Sequence, residues 1–240
     1  MTADWTQAVR QRLAPGRLLP LGGSRDGAWM TERAAVSVLA GAAAAEVPGA
    51  WLGTLRIGPA DPRETREPVV PAPPSALWPG PLRVTADFAA TAARPLPETA
   101  DRLREVLTAA ADRLGLTVTE VDLRVTDLLE PPAEPPPATP QAQRAPDAER
   151  TTDPDEALVA AAVLTVAGVT RLTAAFGDRG HAVRVQRRES DAALPHRHVH
   201  VEVATDSAHR ATEVAQRVRA AVRDTLEDRP TVAVLVTGVE

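Results

Sequence analysis

The amino-acid sequence predicts an α+β fold of two tandem repeats, each a small helix–strand–strand–helix–strand sandwich with a mixed or antiparallel sheet. Three observations predict this fold. A Pro-rich segment over residues 131–154 divides the 240-residue chain. On each side of it, an Ala- and Val-rich helical run ends at a glycine and leads into an apolar strand. Alternating strands and amphipathic helices then recur in the same order on both sides, which is the pattern of a duplicated unit.

The first element of each predicted repeat is a helix that ends at a glycine. Residues 32–46 and residues 156–165 are rich in Ala and Val, and the turns that follow contain Gly49 and Gly168. Glycine adopts the left-handed conformation that closes many helices without a steric penalty. An apolar strand follows each turn, so both repeats are expected to begin with a helix and a strand.

The middle strands of the repeats alternate in the way that half-buried strands do. They are predicted over residues 82–88 and residues 197–203. The apolar side chains on one face are Val84, Ala86 and Phe88 in the first repeat, and Val199, Val201 and Val203 in the second. The opposite faces are polar, so we expect sheets that are open to solvent on one side. A further strand over residues 181–187 is predicted to pair with residues 197–204 as a hairpin.

Each repeat is predicted to close with an amphipathic helix and a last strand. Apolar positions recur at helical spacing over residues 99–114 and residues 211–226. The closing strands span residues 121–126 and residues 232–237. They align without a gap, with Thr126 on Thr237. Helices on one face of each sheet are therefore expected.

The domain organisation follows from the positions of the repeats and of proline. The first repeat is assigned to residues 1–130 and contains a Pro-rich insert at residues 68–81. Residues 131–154 are rich in Pro, Ala, Gln and acidic residues and lack apolar periodicity, so they are predicted to be an extended linker. The second repeat is assigned to residues 155–240. The duplication also motivates the hypothesis that the repeats pack on each other as an intramolecular pseudo-dimer.

The second repeat resembles a known family. Its sequence contains a VAGVTRL turn, AVRVQ and HVHVEVA strands, an EVAQRVRAAVRDTL helix and a closing TVAVLVTGV strand. This run resembles the alkaline-shock-protein family of general-stress and envelope-stress-response proteins. Tandem relatives of this size also carry the label "nucleopolyhedrovirus P-ten family". The first repeat, residues 32–126, is similar more loosely. The resemblance implies a non-enzymatic cytoplasmic protein held near the inner face of the cell membrane by a small membrane-anchored partner, and it supplies no catalytic residues.

The composition excludes several chemistries. The chain has no Cys, and all of its 27 basic residues are Arg. A Cys nucleophile, a disulfide, a thiolate metal site and a Lys Schiff base are therefore excluded. The net charge of −5 argues against a chain built to neutralise phosphates. No signal peptide or membrane span is recognised, so a cytoplasmic location is expected, and neither a catalytic residue nor a cofactor is predicted.

The best chemical candidates lie on one strand. His196, His198 and His200 share a strand face, where neutral imidazoles could hold Zn²⁺ with Glu202 next along. A pH-sensitive polar face is a second interpretation. The favoured interpretation is a solvent-exposed polar face, because the corresponding residues of the first repeat are polar but are not a ligand set. These residues are Arg83, Thr85 and Asp87.

Two further groups of residues have functional and structural interpretations. A basic patch could bind nucleic acid, although Phe176 is the only aromatic residue of this half, and stacking aromatics normally accompany such a surface. The patch comprises Arg184, Arg187, Arg188, Arg197 and Arg210. Trp5 and Trp78 could anchor a partner or pin loops, while Trp29 and Trp51 are expected in the core.

Together these observations predict a non-enzymatic structural or interaction protein. It is expected to dock to a small membrane-anchored protein or to self-associate. Two alternatives remain open at this point. One is a metal-binding or metal-dependent protein that uses His196, His198 and His200, and the other is a nucleic-acid-binding module.

Overall fold

The structure is a computed structural model that describes residues 16–130, 144–176, 180–190 and 193–240, with backbone alone at 188–190 and 193–195. Within these residues the chain is an α+β protein with four α-helices and nine strands in two mixed sheets, which confirms the predicted fold class. Trp5 and the first part of the predicted linker, residues 131–143, lie outside the described residues.

The elements follow one another in two comparable series. The first series comprises β1 (Leu18–Pro20), β2 (Ala28–Thr31), α1 (Glu32–Glu46), β3 (Ala50–Pro59), β4 (Leu82–Thr91), α2 (Leu96–Leu114) and β5 (Val118–Leu129). The second comprises α3 (Pro154–Leu164), β6 (Val169–Leu172), β7 (Val183–Ser190), β8 (Ala193–Thr205), α4 (Ala211–Thr225) and β9 (Thr231–Val239). Among the described residues, β1 and β2 have no counterpart in the second series, which in turn has two strands, β6 and β7, where the first has β3.

The two sheets share a core topology. In the three-stranded sheet, β4 pairs antiparallel with β3 and parallel with β5. In the six-stranded sheet, β8 pairs antiparallel with β6 and β7 and parallel with β9. A helix crosses over between the parallel strands in both cases. The six-stranded sheet is extended by β2, which pairs parallel with the other edge of β9, and by β1 beyond it.

The correspondence extends to the turn between the first helix and strand. Gly49 and Gly168 have φ angles of 83° and 94°, which glycine alone adopts without strain. The carbonyl of Gly49 accepts a hydrogen bond from the Thr91 N–H at 2.8 Å, and that of Gly168 accepts one from the Asp206 N–H at 2.9 Å. Each bond joins the turn to the end of the middle strand.

Both parallel strand pairs also contain an irregularity at the same place. The register shifts between Phe88 and Ala89 in the pairing of β4 with β5, and after Val203 in the pairing of β8 with β9. Beside each shift, a threonine hydroxyl donates to a carbonyl of the middle strand at 3.2 Å: Thr126 to Phe88, and Thr237 to Val203. These are the threonines that the sequence alignment of the repeats pairs.

A glutamate in the first turn of each leading helix reaches an edge strand. Glu32 Oε1 accepts a hydrogen bond from the Ile57 N–H at 3.0 Å, on β3. Glu156 Oε1 accepts one from the Val185 N–H at 3.2 Å, on β7. Because an unpaired strand N–H is a potential site of edge pairing, these carboxylates cover one amide on each edge.

The helices and both sheets enclose one continuous apolar core that includes residues of both series. The helix α1 contacts β3 and α2 of its own series and also β2 and β9 of the six-stranded sheet. The later part of the predicted linker joins this body, since the Ala148 N–H donates to the Leu172 carbonyl at 3.3 Å. The helix α3 already begins at Pro154, where Asp153 caps it by accepting from two backbone N–H groups.

The expectation that the sheets are open to solvent on one side is wrong for the six-stranded sheet. Part of the Pro-rich insert lies over its outer face, where Val70 is buried with Trp29 and Leu235. The insert also bonds to β1, as Leu18 N–H donates to the Ser75 carbonyl at 3.2 Å. A second small apolar cluster therefore forms on this face. The outer face of the three-stranded sheet carries exposed ion pairs instead, as between Arg83 and Glu120.

Candidate functional site

The favoured interpretation expected the three histidines on an exposed strand face, and the structure shows that this is wrong. His196 is exposed, but His198 is buried and its Nδ1 is 2.8 Å from the Thr231 hydroxyl. His200 is nearly buried, and its Nδ1 is 3.3 Å from the Arg184 guanidinium. Burial and the neighbouring Arg184 charge lower the pKa of His200 to about 3. His200 is therefore a neutral imidazole that accepts a hydrogen bond from Arg184.

Glu202 is the most unusual residue of this face. Its side chain is fully buried, and its Oε2 accepts hydrogen bonds from the Ala175 N–H at 2.6 Å and the Phe176 N–H at 3.1 Å. Its Oε1 is 3.5 Å from the Arg184 guanidinium. Burial raises the pKa of Glu202 to about 7, against the opposing effect of these hydrogen bonds and of Arg184. Glu202 therefore changes its protonation near neutral pH.

The hydrogen bonds of Glu202 attach the segment after β6 to the sheet. The Thr173 N–H donates to the Glu202 carbonyl at 3.1 Å, and the hydroxyls of Thr173 and Thr237 are 2.7 Å apart. Phe176 then packs against the second apolar cluster. The corresponding residue of the first series, Asp87, remains on an exposed face and pairs with a neighbouring arginine. Glu202 thus holds the segment after β6 against the sheet through hydrogen bonds to its backbone.

The structure does not arrange the histidines as a metal site. Within residues 16–130, 144–176, 180–190 and 193–240, no group of three or more His, Asp or Glu side chains is placed to hold a metal ion. Nδ1 of His198 lies 2.8 Å from the Thr231 hydroxyl, and Nδ1 of His200 lies 3.3 Å from the Arg184 guanidinium and 3.9 Å from Glu202 Oε1. An arginine beside the imidazole opposes the binding of a cation.

The predicted basic patch is largely neutralised by acidic neighbours. Arg197 pairs with Asp155 and Asp228, and the hydrogen bonds that its guanidinium donates to Asp228 raise its pKa. Arg210 bonds to the carboxylate of Asp112 at 3.0 Å. Arg184 faces the buried Glu202, as described above. Arg187 is exposed, and the side chain of Arg188 lies outside the described residues. The patch is therefore not a continuous surface of free cations.

The tryptophans occupy different environments. Trp29 is buried, as expected, and its indole N–H donates to the Leu77 carbonyl at 3.3 Å, which joins β2 to the Pro-rich insert. Trp51 is half-buried. Trp78 is 50% exposed at the end of the insert. Trp78 is therefore accessible to a partner, whereas Trp29 holds the Pro-rich insert against the sheet.

Two surface cavities lie beside the second series. One, of about 330 Å³, lies between α1 and the end of β9 and is lined by three arginines. Two of them, Arg144 and Arg171, each donate a hydrogen bond to the Glu240 carboxylate at 2.9 Å, so this acidic side chain partly neutralises their charge. The other, of about 420 Å³, lies between α3 and the strands β6 and β7 and is mostly apolar. Neither cavity encloses a ligand-sized apolar space with converging free polar groups.

The most exposed binding feature is strand β5 at the edge of the three-stranded sheet. It is twelve residues long, and among the residues that the structure describes it pairs with β4 alone. Val125 and Leu128 are opposite the buried Phe88 and Ala90, yet they are 41% and 57% exposed. Their side chains therefore share the core-facing side of the sheet but extend beyond the helices that cover it. The result is an open edge beside an apolar surface.

The corresponding strand of the other sheet has no open edge. Strand β9 is paired with β8 on one side and with β2 on the other, and Val232, Val234 and Val236 are buried. Sequence reasoning missed this difference because β1 and β2 were not predicted. The only available signal was the apolar run around Trp29 and Met30 before α1.

No protein-family model matches this chain, and no curated protein matches it. The resemblance to the alkaline-shock-protein family therefore stays a prediction from the sequence. Among the described residues, no helix is long and apolar enough to span a membrane.

Proposed function

We propose that this chain is a non-enzymatic interaction module that binds another protein chain along the open edge of β5. One observation carries the proposal: within the described part of the chain, β5 presents twelve residues with a single paired edge, and Val125 and Leu128 are exposed beside it. An unpaired strand edge offers a row of N–H and C=O groups to a further strand. Exposed apolar side chains along it add area that is removed from water on docking.

The proposal includes a duplicated architecture. The two series are copies of one helix–strand–strand–helix–strand unit, and the pseudo-dimer is their shared core. The matching positions of Gly49 with Gly168, and of Thr126 with Thr237, support this view. So does the pairing of both leading helices with an edge strand through a glutamate. Chance resemblance between two Ala- and Val-rich halves does not explain shared backbone irregularities.

The proposal also takes in the resemblance to envelope-stress-response proteins. A protein of this type works as a cytoplasmic scaffold at the inner face of the membrane, attached through a small membrane-anchored partner. The buried polar groups then serve the fold, since Glu202 holds a loop and His200 is bonded to Arg184. The metal-dependent and nucleic-acid alternatives have less support, because the histidines adjoin an arginine and most of the described patch arginines are ion-paired.

A capture experiment with matched variants tests this function. Tagged full-length chain would be incubated with cytosolic and membrane extracts that also contain untagged copies of the chain. Leu128→Glu places a charge on the β5 surface, whereas Leu158→Glu changes a side chain on α3 that is equally exposed, at 57%. We expect a chain bound at near-stoichiometric amounts by the wild type and by Leu158→Glu, and lost with Leu128→Glu. Capture that survives Leu128→Glu, or no capture of any chain, overturns the proposal.

A further inference from the structure

We infer that the chain docking on β5 is a second copy of this protein, whose own β5 pairs antiparallel about a two-fold axis at Leu123. The inference rests on the proposed function, because it names the partner of the same edge. Each three-stranded sheet would become half of a continuous six-stranded sheet. A two-fold arrangement uses one surface patch on both copies, so it closes as a dimer without leaving a further free patch.

The first argument is that the chain itself engages comparable edges. Strand β2 pairs with the outer edge of β9. On β1, the Leu18 N–H donates to the Ser75 carbonyl, and the Leu18 carbonyl accepts from the Leu77 N–H. The Glu32 carboxylate accepts a hydrogen bond from a backbone N–H of β3, and the Glu156 carboxylate accepts one from a backbone N–H of β7. Among the residues that the structure describes, no second strand pairs with β5. The edge that β2 fills on β9 is thus open on β5.

The second argument is that the sequence of β5 is self-complementary around Leu123. Antiparallel pairing with Leu123 opposite its own copy places Val121 opposite Val125 of the second copy. The same pairing places Asp122 opposite Arg124 of the second copy, twice by symmetry. These five residues lie in the regular part of the strand, between its two register shifts. Apolar residues therefore meet on one face, and opposite charges meet on the other.

Neighbouring registers are unfavourable. An axis at Asp122 or at Arg124 sets a charge directly against the same charge of the second copy. An axis at Val121 sets Asp122 against Glu120, and an axis at Val125 sets Leu123 against an aspartate. Residues directly opposite each other on two paired strands lie on the same face of the sheet. A two-fold axis midway between two residues would therefore place apolar side chains of one copy opposite charged side chains of the other. Leu123 is the position at which both faces are complementary.

Charge exchange tests the partner and the register together. The wild type is expected to sediment at high concentration with twice the 25.4 kDa mass of one chain. Asp122→Arg and Arg124→Asp should each weaken the dimer roughly tenfold, since two cross-strand pairs become repulsive. The double variant should restore the wild-type dissociation constant. Both side chains are exposed, but Asp122 also pairs with Arg83 at 3.4 Å and Arg124 with Asp87 at 2.8 Å within the chain. Urea unfolding of each variant therefore accompanies the sedimentation, and a variant that is unfolded is not scored. A double variant no tighter than the single ones overturns the register.

Distance measurement provides a second readout of the register. The chain lacks cysteine, so Glu120→Cys and Thr126→Cys each accept one spin label per copy. Each position is three residues from the axis, and a strand rises about 3.3 Å per residue. Both variants should therefore show a separation of roughly 20 Å between backbone positions. Clearly unequal separations, or none below 60 Å, contradict pairing about Leu123.

The outcomes separate this inference from the function on which it rests. A chain that stays monomeric, while another protein binds it in a Leu128-dependent manner, overturns the second-copy inference and retains the interaction module. A monomeric chain that captures nothing through β5 overturns both. A dimer that is unaffected by Leu128→Glu and by the charge exchanges places self-association elsewhere and overturns the second-copy inference. The interaction module is then also overturned unless another protein binds in a Leu128-dependent manner.

Discussion

Replacing Glu202 with glutamine is expected to remove a pH-dependent loss of stability. In the folded chain, burial raises the pKa of Glu202 to about 7, from an ordinary value of 4.5. Between these values the folded state binds the proton more tightly than the unfolded state does. The free energy of unfolding therefore falls as the pH rises from about 4.5 to about 7. A glutamine keeps the acceptor for the Ala175 and Phe176 N–H groups but does not ionise.

The magnitude follows from the size of the pKa change. Each pKa unit corresponds to about 1.4 kcal/mol, so the full cost of ionising Glu202 is about 3 kcal/mol. Most of it develops between pH 5 and pH 8. The stability of Glu202→Gln relative to the wild type should therefore increase by about 2 kcal/mol over this range. His200 also titrates: its pKa is lowered from 6.5 to about 3 in the folded chain, so the fold loses stability as the pH falls below 6.5. This effect is the same in both proteins and cancels in the comparison.

Urea unfolding at a series of pH values measures this difference, with circular dichroism and tryptophan fluorescence as probes. Thr205→Val is the matched control, because Thr205 is buried on the same strand, its hydroxyl has no hydrogen-bond partner among the described residues, and it does not titrate. The control should differ from the wild type by the same amount at every pH. If Glu202→Gln also shows a constant difference, Glu202 ionises normally, and its buried contact with the loop is refuted.

Five other substitutions test the core and the correspondence of the halves by the same unfolding assay. Phe88→Ala, in the centre of the three-stranded sheet, should cost about 3–5 kcal/mol and still fold; a loss below 1 kcal/mol would refute its burial. Gly168→Ala should destabilise by more than about 1 kcal/mol, since φ is 94° and a Cβ would lie 2.6 Å from a valine methyl. Gly41→Ala should stabilise α1 by up to about 1 kcal/mol, because no described residue outside the helix lies within 4 Å of its Cβ position, and equal effects at the two glycines would contradict this. Thr237→Val should cost about 1–3 kcal/mol and Thr126→Val less, since Thr237 also bonds to a buried hydroxyl; the reverse order would count against the two sites.

Much of the secondary structure could be predicted from local patterns. The predicted helix over residues 32–46 has the bounds Glu32–Glu46, and its glycine stop has the expected positive φ. The strands β1 and β2 could not be predicted in this way. They are three and four residues long, and their stability depends on pairing with β9 and on contact with the insert. Such distant contacts leave almost no local periodicity.

The candidate sites show the same limit. The period-2 pattern placed His198, His200 and Glu202 on one strand face, and they do lie on one face. It could not show that a distant insert and the segment around Phe176 bury part of this face. Likewise, the alternation within β5 predicts a strand but does not indicate which edge is open. Strand order depends on contacts between segments that are far apart in the sequence.

Hydrogen exchange measured at low and high protein concentration tests the central claim, that β5 is the edge through which this chain binds another. The account predicts that peptides covering residues 118–129 exchange more slowly as the concentration rises, because the second copy pairs with their free N–H groups. Peptides from β9, which is already paired on both sides, should not change. Exchange in β5 that is independent of concentration, and unchanged by any captured partner, would contradict the account.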